Sequence, residues 1–177
     1  MLIFNKNNMI KFTKKKKVNK TTDKVWQIFA HEFNDAHKWM SSVNHSFGQS
    51  NGELFDGSQS DGRVCELSPN EKGIKVSEQF LAYNEENKTA TVRINFLNTP
   101  FFFPLKFNTL NFSIQDIGKD ESEMIWKFRS DIKPLGLLLW PLLRIVLGIF
   151  VGQIMEELKF YAENGTPHPR KIKAMGK

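Results

Sequence analysis

Three charged residues in the middle of this 177-residue sequence stand where apolar side chains are expected. Arg63, Glu78 and Arg93 each fall inside a short run whose other members include Val, Ile, Phe or Cys, and runs of that kind pair into sheets. An inward carboxylate or guanidinium in such a place must be paired or solvated, because a buried charge without a partner is costly. A cluster of this kind has two uses. It ties neighbouring strands together, or it orients the polar end of a bound molecule. Glu78 is also a candidate general acid or base, and so is His45.

The remaining reactive side chains carry weaker signals. His31 and His37 are six residues apart on what read as separate short helices, while His45 and His168 stand alone. No spacing resembles a paired set of ligands such as His-x-x-x-His, so no metal is expected, and no cofactor is implied. Cys65 is the only cysteine, which excludes an intramolecular disulfide and suits a reducing compartment. Its one cationic neighbour is Arg63, and the thiol reads as inert and half-buried.

The aromatic residues say more. Sixteen Phe in this length call for either a ring-filled core or an apolar cavity lined by rings. Phe80, Phe112, Trp126 and Phe128 lie in strand-like runs, and Leu147, Phe150 and Ile154 lie in a helical one. These seven, with Arg63, Glu78 and Arg93, are the candidate ligand-binding set. Strand alternation lets only half of each strand face inward, and the parity of every strand is not fixed by pattern alone.

The elements that must position these residues follow from periodicity. Residues 10–18 read as a first strand, with Ile10, Phe12 and Val18 on one face and lysines between them. Asn19 to Asp23 supply turn and cap chemistry, with Thr21 or Thr22 as N-cap. Val25, Ile28, Phe29 and Phe33 then repeat at helical spacing, and a second short helix is expected over 35–40. Strand candidates follow at 43–49, 63–67, 74–83, 89–97, 106–116 and 123–132, separated by turn residues and by a polar, Gly-rich loop at 50–62. The last third is a long helix. Pro141 suits its first turn, after a short turn or helix over 135–140. Asn164-Gly165 supplies its stop, and Pro167 and Pro169 prevent continuation. Ile154, Leu158 and Tyr161 mark its expected sheet-facing stripe, with Glu156, Glu157, Lys159 and Glu163 on other faces.

The expectation is one α+β domain: a curved antiparallel sheet of about seven strands wrapped around a long C-terminal helix, with two short helices after the first strand. Its core would span about 10–165, followed by a basic tail over 166–177. The formal charge of +6 is largely local, in Lys14 to Lys17 and in Arg170, Lys171, Lys173 and Lys177. The lysine run reads as a solvated strand edge that blocks edge-to-edge pairing. No nucleic-acid motif is present, so nucleic-acid binding is not expected. Asn5 to Asn8 interrupt the N-terminus with polar residues where a signal peptide needs an apolar stretch, so a cytoplasmic protein is the default.

Two segments exceed what a core needs. Pro100 and Pro104 bracket Phe101, Phe102 and Phe103, and residues 135–155 are predominantly apolar apart from Pro141, Arg144 and Gln153. The stretch is long enough to span a bilayer. Because the same helix runs on into an amphipathic part, ordinary burial is the main expectation. Peripheral membrane or partner contact through Phe101, Phe102, Phe103 and the stretch that opens on Leu135 and closes on Leu143 is the alternative.

Several short motifs resemble the START-like superfamily, also called SRPBCC, and within it the bacterial polyketide cyclase/dehydrase and lipid-transport group. Val18-Asn19-Lys20-Thr21-Thr22-Asp23-Lys24-Val25-Trp26 is similar to its strand-to-helix entry, and Trp39 followed by Val43 to its tryptophan before the second strand. Gly62-Arg63 resembles a Gly-x-x-Arg strand start, with the Gly here directly before Arg. Glu78 and Tyr83 match a Glu-x-x-x-x-Tyr strand. Glu157-Leu158-Lys159-Phe160-Tyr161 with Gly165-Thr166-Pro167 resembles its helix ending. The likeness covers about 10–173. It implies a helix-grip fold with a hydrophobic cavity, in a family whose members range from carriers to cyclases. The leading expectation is therefore a carrier or binding protein for a lipid or polyketide-like molecule. A cyclase or dehydratase using Glu78 or His45 in the same pocket is the alternative, and the oligomeric state is left open.

Overall fold

The computed structural model describes residues 9–176; the polar segment at Asn5 to Asn8 and the terminal Lys177 lie outside it. Seven strands form one antiparallel sheet: β1 (Met9–Val18), β2 (His45–Gln49), β3 (Gly62–Glu66), β4 (Lys75–Asn84), β5 (Thr89–Leu97), β6 (Leu105–Gly118) and β7 (Glu121–Ile132). Their order is β1-β7-β6-β5-β4-β3-β2, so β2 to β7 form a meander and β1 closes onto β7. Both edges are short of neighbours. On β1 the expected lysine edge is present, with Lys15, Lys16 and Lys17 paired to Glu123, Glu156 and Glu121.

The connection from β1 to β2 is helical but irregular. Thr21 caps α1 (Thr22–Trp26), its hydroxyl accepting from the Lys24 amide at 3.3 Å. A π-helical turn (Gln27–His31) follows, then a 3-10 helix (Phe33–Lys38). The periodic apolar residues expected there are buried: Val25, Ile28, Phe29 and Phe33. After β7 a 3-10 helix (Pro134–Leu139) leads into α2 (Trp140–Asn164), with Pro141 in its first turn. Gly165 ends it at φ 71°, a left-handed conformation that glycine adopts without penalty.

From Leu147 onward, one face of α2 lies across the concave face of the sheet. Its buried side chains are Leu147, Val151, Met155, Leu158 and Ala162, with Glu157 among them. The sheet-facing stripe therefore runs through Val151, Met155 and Leu158, and Ile154 and Tyr161 flank it half-buried. Glu157, expected on a solvent face, is 1% exposed. Its carboxylate accepts from the Ser41 amide and hydroxyl and from Arg170 Nε, which offsets the cost of burying a charge. Arg170 belongs to α3 (Pro169–Met175), so the basic tail is partly an ordered helix. Lys171 in the same helix is buried and donates to the Val43 carbonyl at 2.7 Å.

The N-terminal half of α2 is another matter. Ordinary burial of residues 135–155 holds for only part of the stretch: Leu147, Val151 and Met155 are buried, but Leu135, Leu138, Leu139, Leu142, Ile145, Val146 and Ile149 are exposed. The sheet lies under only the C-terminal part of the helix, so nothing among the described residues covers these side chains.

Candidate functional site: an apolar cavity under the long helix

One end of the concave face is filled solid. The helical connection after β1 brings Trp26, Phe29 and Phe33 down onto it. Phe29 stacks flat on Phe112, with ring centroids 3.8 Å apart, and Phe33 packs on Phe80 at 4.4 Å. Toward the other end α2 bridges the curved sheet without filling it. The gap is a cavity of about 180 Å³.

Its wall draws on most of the elements. β3 to β7 supply Cys65, Val76, Val92, Ile94, Leu110, Trp126 and Phe128 among others, the first connection supplies Phe33, Trp39 and Met40, and α2 supplies Leu147, Phe150, Val151 and Ile154. Phe150 and Leu67 line the cavity yet are 41% and 36% exposed, so it opens between α2 and the turn after β3.

Two charged residues stand in this wall, Arg63 on β3 and Glu78 on β4, directly opposite each other in register. Arg63 Nε donates to Glu78 Oε2 at 2.5 Å, Nη2 lies 2.5 Å from the same oxygen, Nη1 donates to the Phe33 carbonyl, and the guanidinium lies 4.0 Å above the Phe33 ring. Burial alone would push the guanidinium pKa down, but Glu78 beside it makes the net shift upward. The cation is therefore held, neutralised, in an apolar wall. Cys65 is next along the strand, and burial pushes its thiol up to about 12, against the pull of Arg63. It is more deeply buried than expected from the sequence.

Four wall residues bury a polar atom that has no partner within the described chain: Trp39 Nε1, Trp126 Nε1, Asn108 Oδ1 and Ser42 Oγ. Each such atom gives up hydration without compensation, at about 1–3 kcal/mol.

Of the residues expected to bind ligand, Arg63, Glu78, Trp126, Phe128, Leu147, Phe150 and Ile154 come together around this cavity. Three do not. Phe80 and Phe112 point to the concave face but are spent on packing under Phe33 and Phe29. Arg93 has the opposite parity on β5 and stacks over Phe107, its guanidinium carbon 3.5 Å from the ring centroid. His45 is exposed on the edge strand, beside His37 at 5.5 Å, and is not part of the cavity wall. Glu78 is in the wall, but as the anion of an ion pair.

Asn108 shares the inward parity of Leu110 and Phe112 but escaped notice in the sequence because, as a neutral polar residue, it carries neither an apolar nor a charge signal. Trp39 and Met40 were legible as apolar but not as cavity residues, since only the folded connection carries them to the sheet. Among the described residues, no three His, Cys, Asp or Glu side chains gather as a metal site requires.

Comparison with known proteins agrees with this architecture. A START superfamily protein from Mycobacterium smegmatis superimposes with TM-score 0.69 at 12% identity, over 88% of this chain and 99% of that one. Ginseng major latex-like protein 151 from Panax ginseng gives TM-score 0.60 at 13% identity, over 88% and 99%. A norcoclaurine synthase point mutant from Thalictrum flavum, solved with a transition-state analogue, gives 0.58 at 12%, over 87% and 94%. At such identities these likenesses establish the fold alone. Among curated proteins none matches the sequence. Residues 9–163 match the family described as polyketide cyclase / dehydrase and lipid transport, and the helix-grip fold and apolar cavity are those the motifs implied: the chain belongs to that family.

Proposed function

We propose that this protein is a carrier or binding protein for an uncharged, predominantly apolar small molecule of the lipid or polyketide-like kind. The observation that carries the reading is the charge state of the wall. Arg63 and Glu78 are its charged residues, and they neutralise each other. An ionised ligand entering this apolar space would bring a charge with no counter-ion, at a large desolvation cost. A neutral molecule would gain from apolar burial at roughly 25 cal/mol per Å², before ordering costs. The unpaired Trp39, Trp126, Ser42 and Asn108 atoms would recognise one or two neutral polar groups on it, such as a hydroxyl or carbonyl, after small rotations. A free buried thiol at Cys65 suits the reducing cytoplasm as the setting.

The neutral dye N-phenylnaphthylamine tests the proposal. Its fluorescence should rise on binding, and long-chain alcohols should displace it at least tenfold better than the matching fatty-acid anions at pH 8. Val92→Phe, which puts a ring into the cavity from β5, should abolish the signal in a folded protein. No dye binding, or preferential displacement by the anion, would overturn the reading. Native mass spectrometry of protein from its own host, followed by solvent extraction, would then identify the natural ligand.

A further inference from the structure

The 3-10 helix and α2 together form a stretch, Pro134–Asn164, long and apolar enough to cross a membrane. It cannot do so as folded, because Val151, Met155, Leu158 and Ala162 of the same helix are packed against the sheet. What it leaves in solvent is one continuous apolar ridge. Leu135, Leu138, Leu139, Leu142, Ile145 and Ile149 lie along it, and Leu138 is 86% exposed. Beside it stands the β5–β6 loop, where Phe101 is 94% exposed. The two are physically joined: the Lys133 amide donates to the Pro104 carbonyl, and Pro104 lies against Gly136 so closely that a side chain at Gly136 would collide with it.

The charges around this ridge have one sign. Between Lys133 and Glu156 the only charged residue is Arg144, and the β5–β6 loop holds no acid. Lys14 Nζ reaches the helix near Gly152, Arg144 Nη1 approaches the Lys11 carbonyl at 3.5 Å, and Lys133 Nζ lies 6.0 Å from the centre of the Phe103 ring. Lys11, Lys14, Lys106, Lys133 and Arg144 make no ion pair among the described residues, whereas Lys15, Lys16 and Lys17, farther along β1, do. The acids at this end of the sheet are Asp131, paired with Arg129, Glu66, paired with Lys75, and Glu71, whose neighbour in sequence is Lys72.

From this combination we infer that the ridge is a docking surface for the face of an anionic lipid bilayer. Phe101, Phe102 and the leucines enter the acyl boundary, and the unpaired cations sit at the phosphate level. A second copy of the chain fits less well, since a self-complementary interface would bring the same unpaired cations toward one another. The surface also reaches the cavity: Phe150 lines the cavity and is exposed on this helix, and Phe96 of the cavity wall packs on Phe103 at 4.9 Å. Docking would thus bring the cavity mouth to the lipid. The inference extends the carrier reading but stands on the surface alone.

Co-sedimentation of the full chain with vesicles tests it. Phosphatidylcholine vesicles containing phosphatidylglycerol should bind the protein at least tenfold more tightly than phosphatidylcholine alone, and added salt should weaken binding. Phe101→Asp with Leu138→Asp should remove binding while leaving the N-phenylnaphthylamine signal of the cavity unchanged. Lys14→Glu with Arg144→Glu should cut binding to the anionic vesicles at least tenfold. Failure to bind anionic vesicles, or binding that survives the double Asp variant, overturns the inference. So does a dimer in light scattering that the Asp variant dissolves in the absence of vesicle binding. In each of these outcomes the dye signal reports on the cavity separately.

Discussion

Both Nε and Nη2 of Arg63 reach a single oxygen of Glu78, Oε2, across directly paired positions of β3 and β4. A pair made this way neutralises the only charges that the described residues place in the cavity wall and locks β3 to β4 beneath Phe33. It also means that Glu78 supports the fold before it meets any ligand.

Removing one partner should therefore cost stability. Glu78→Gln leaves the Arg63 cation, 5% exposed, without its counter-ion, and should lose about 3–5 kcal/mol in urea denaturation. The double variant Arg63→Met with Glu78→Leu should recover most of that loss, because it removes the charges together. A loss below about 1 kcal/mol for the single variant would show that water in the cavity solvates the pair.

Glu85 predicts a pH dependence. Partial burial alone would raise its pKa, but Trp26 Nε1 at 2.8 Å, His31 at 3.0 Å, the Tyr83 hydroxyl at 2.7 Å and Lys88 at 3.3 Å hold it down at about 2. The folded value lies below the ordinary 4.5, so the unfolded chain binds the proton more readily. The stabilisation is complete above pH 4.5 and fades as pH falls toward 2. The melting-temperature gap between wild type and Glu85→Gln should be full at pH 6 and markedly smaller at pH 2.5. An equal gap at both would show that the carboxylate charge is not what holds the β4–β5 turn to the first helices.

Cys65 should be almost unreactive. With a pKa of about 12, its thiolate is about one part in ten thousand of the population at pH 8. Labelling by a disulfide reagent should be at least a hundredfold slower than for glutathione, and a ligand in the cavity should slow it further. Rapid labelling of the folded protein would mean that the cavity opens widely to solvent.

The C-terminal helix should be needed for stability. Ending the chain before Pro169 removes the Arg170 donor from buried Glu157 and the Lys171 donor from the Val43 carbonyl. We expect a loss of at least about 2 kcal/mol in chemical denaturation. A truncated chain as stable as the full one would mean that Glu157 finds water instead.

Much of the architecture was legible before folding because it rests on local rules. Alternation in residues such as Ile10, Phe12 and Val18 marks strands, Thr21 marks a helix start, and Gly165 followed by Pro167 marks its end. Strand lengths and short polar turns then leave a meander as the economical sheet, and one apolar-striped helix as its cover. Arg63 and Glu78 could be singled out for the same reason: a charge among apolar strand residues is an anomaly in any sequence.

Tertiary structure decided the rest. Strand parity is relative to a partner, so only the assembled sheet turned Arg93 outward onto Phe107 and Asn108 inward beside Leu110. Phe80 and Phe112 have the composition of cavity residues, yet the rings of Phe33 and Phe29 descend on them from a connection whose path no periodicity records. Glu157 reads as a surface acid on its own helix and is buried because Ser41, distant in sequence, and Arg170, in the next helix, arrive to satisfy it. In α2, apolar residues upstream of Leu147 and downstream of it look alike in sequence. Which of them are covered depends on where the sheet ends beneath the helix, and that boundary exists only once the strands have paired.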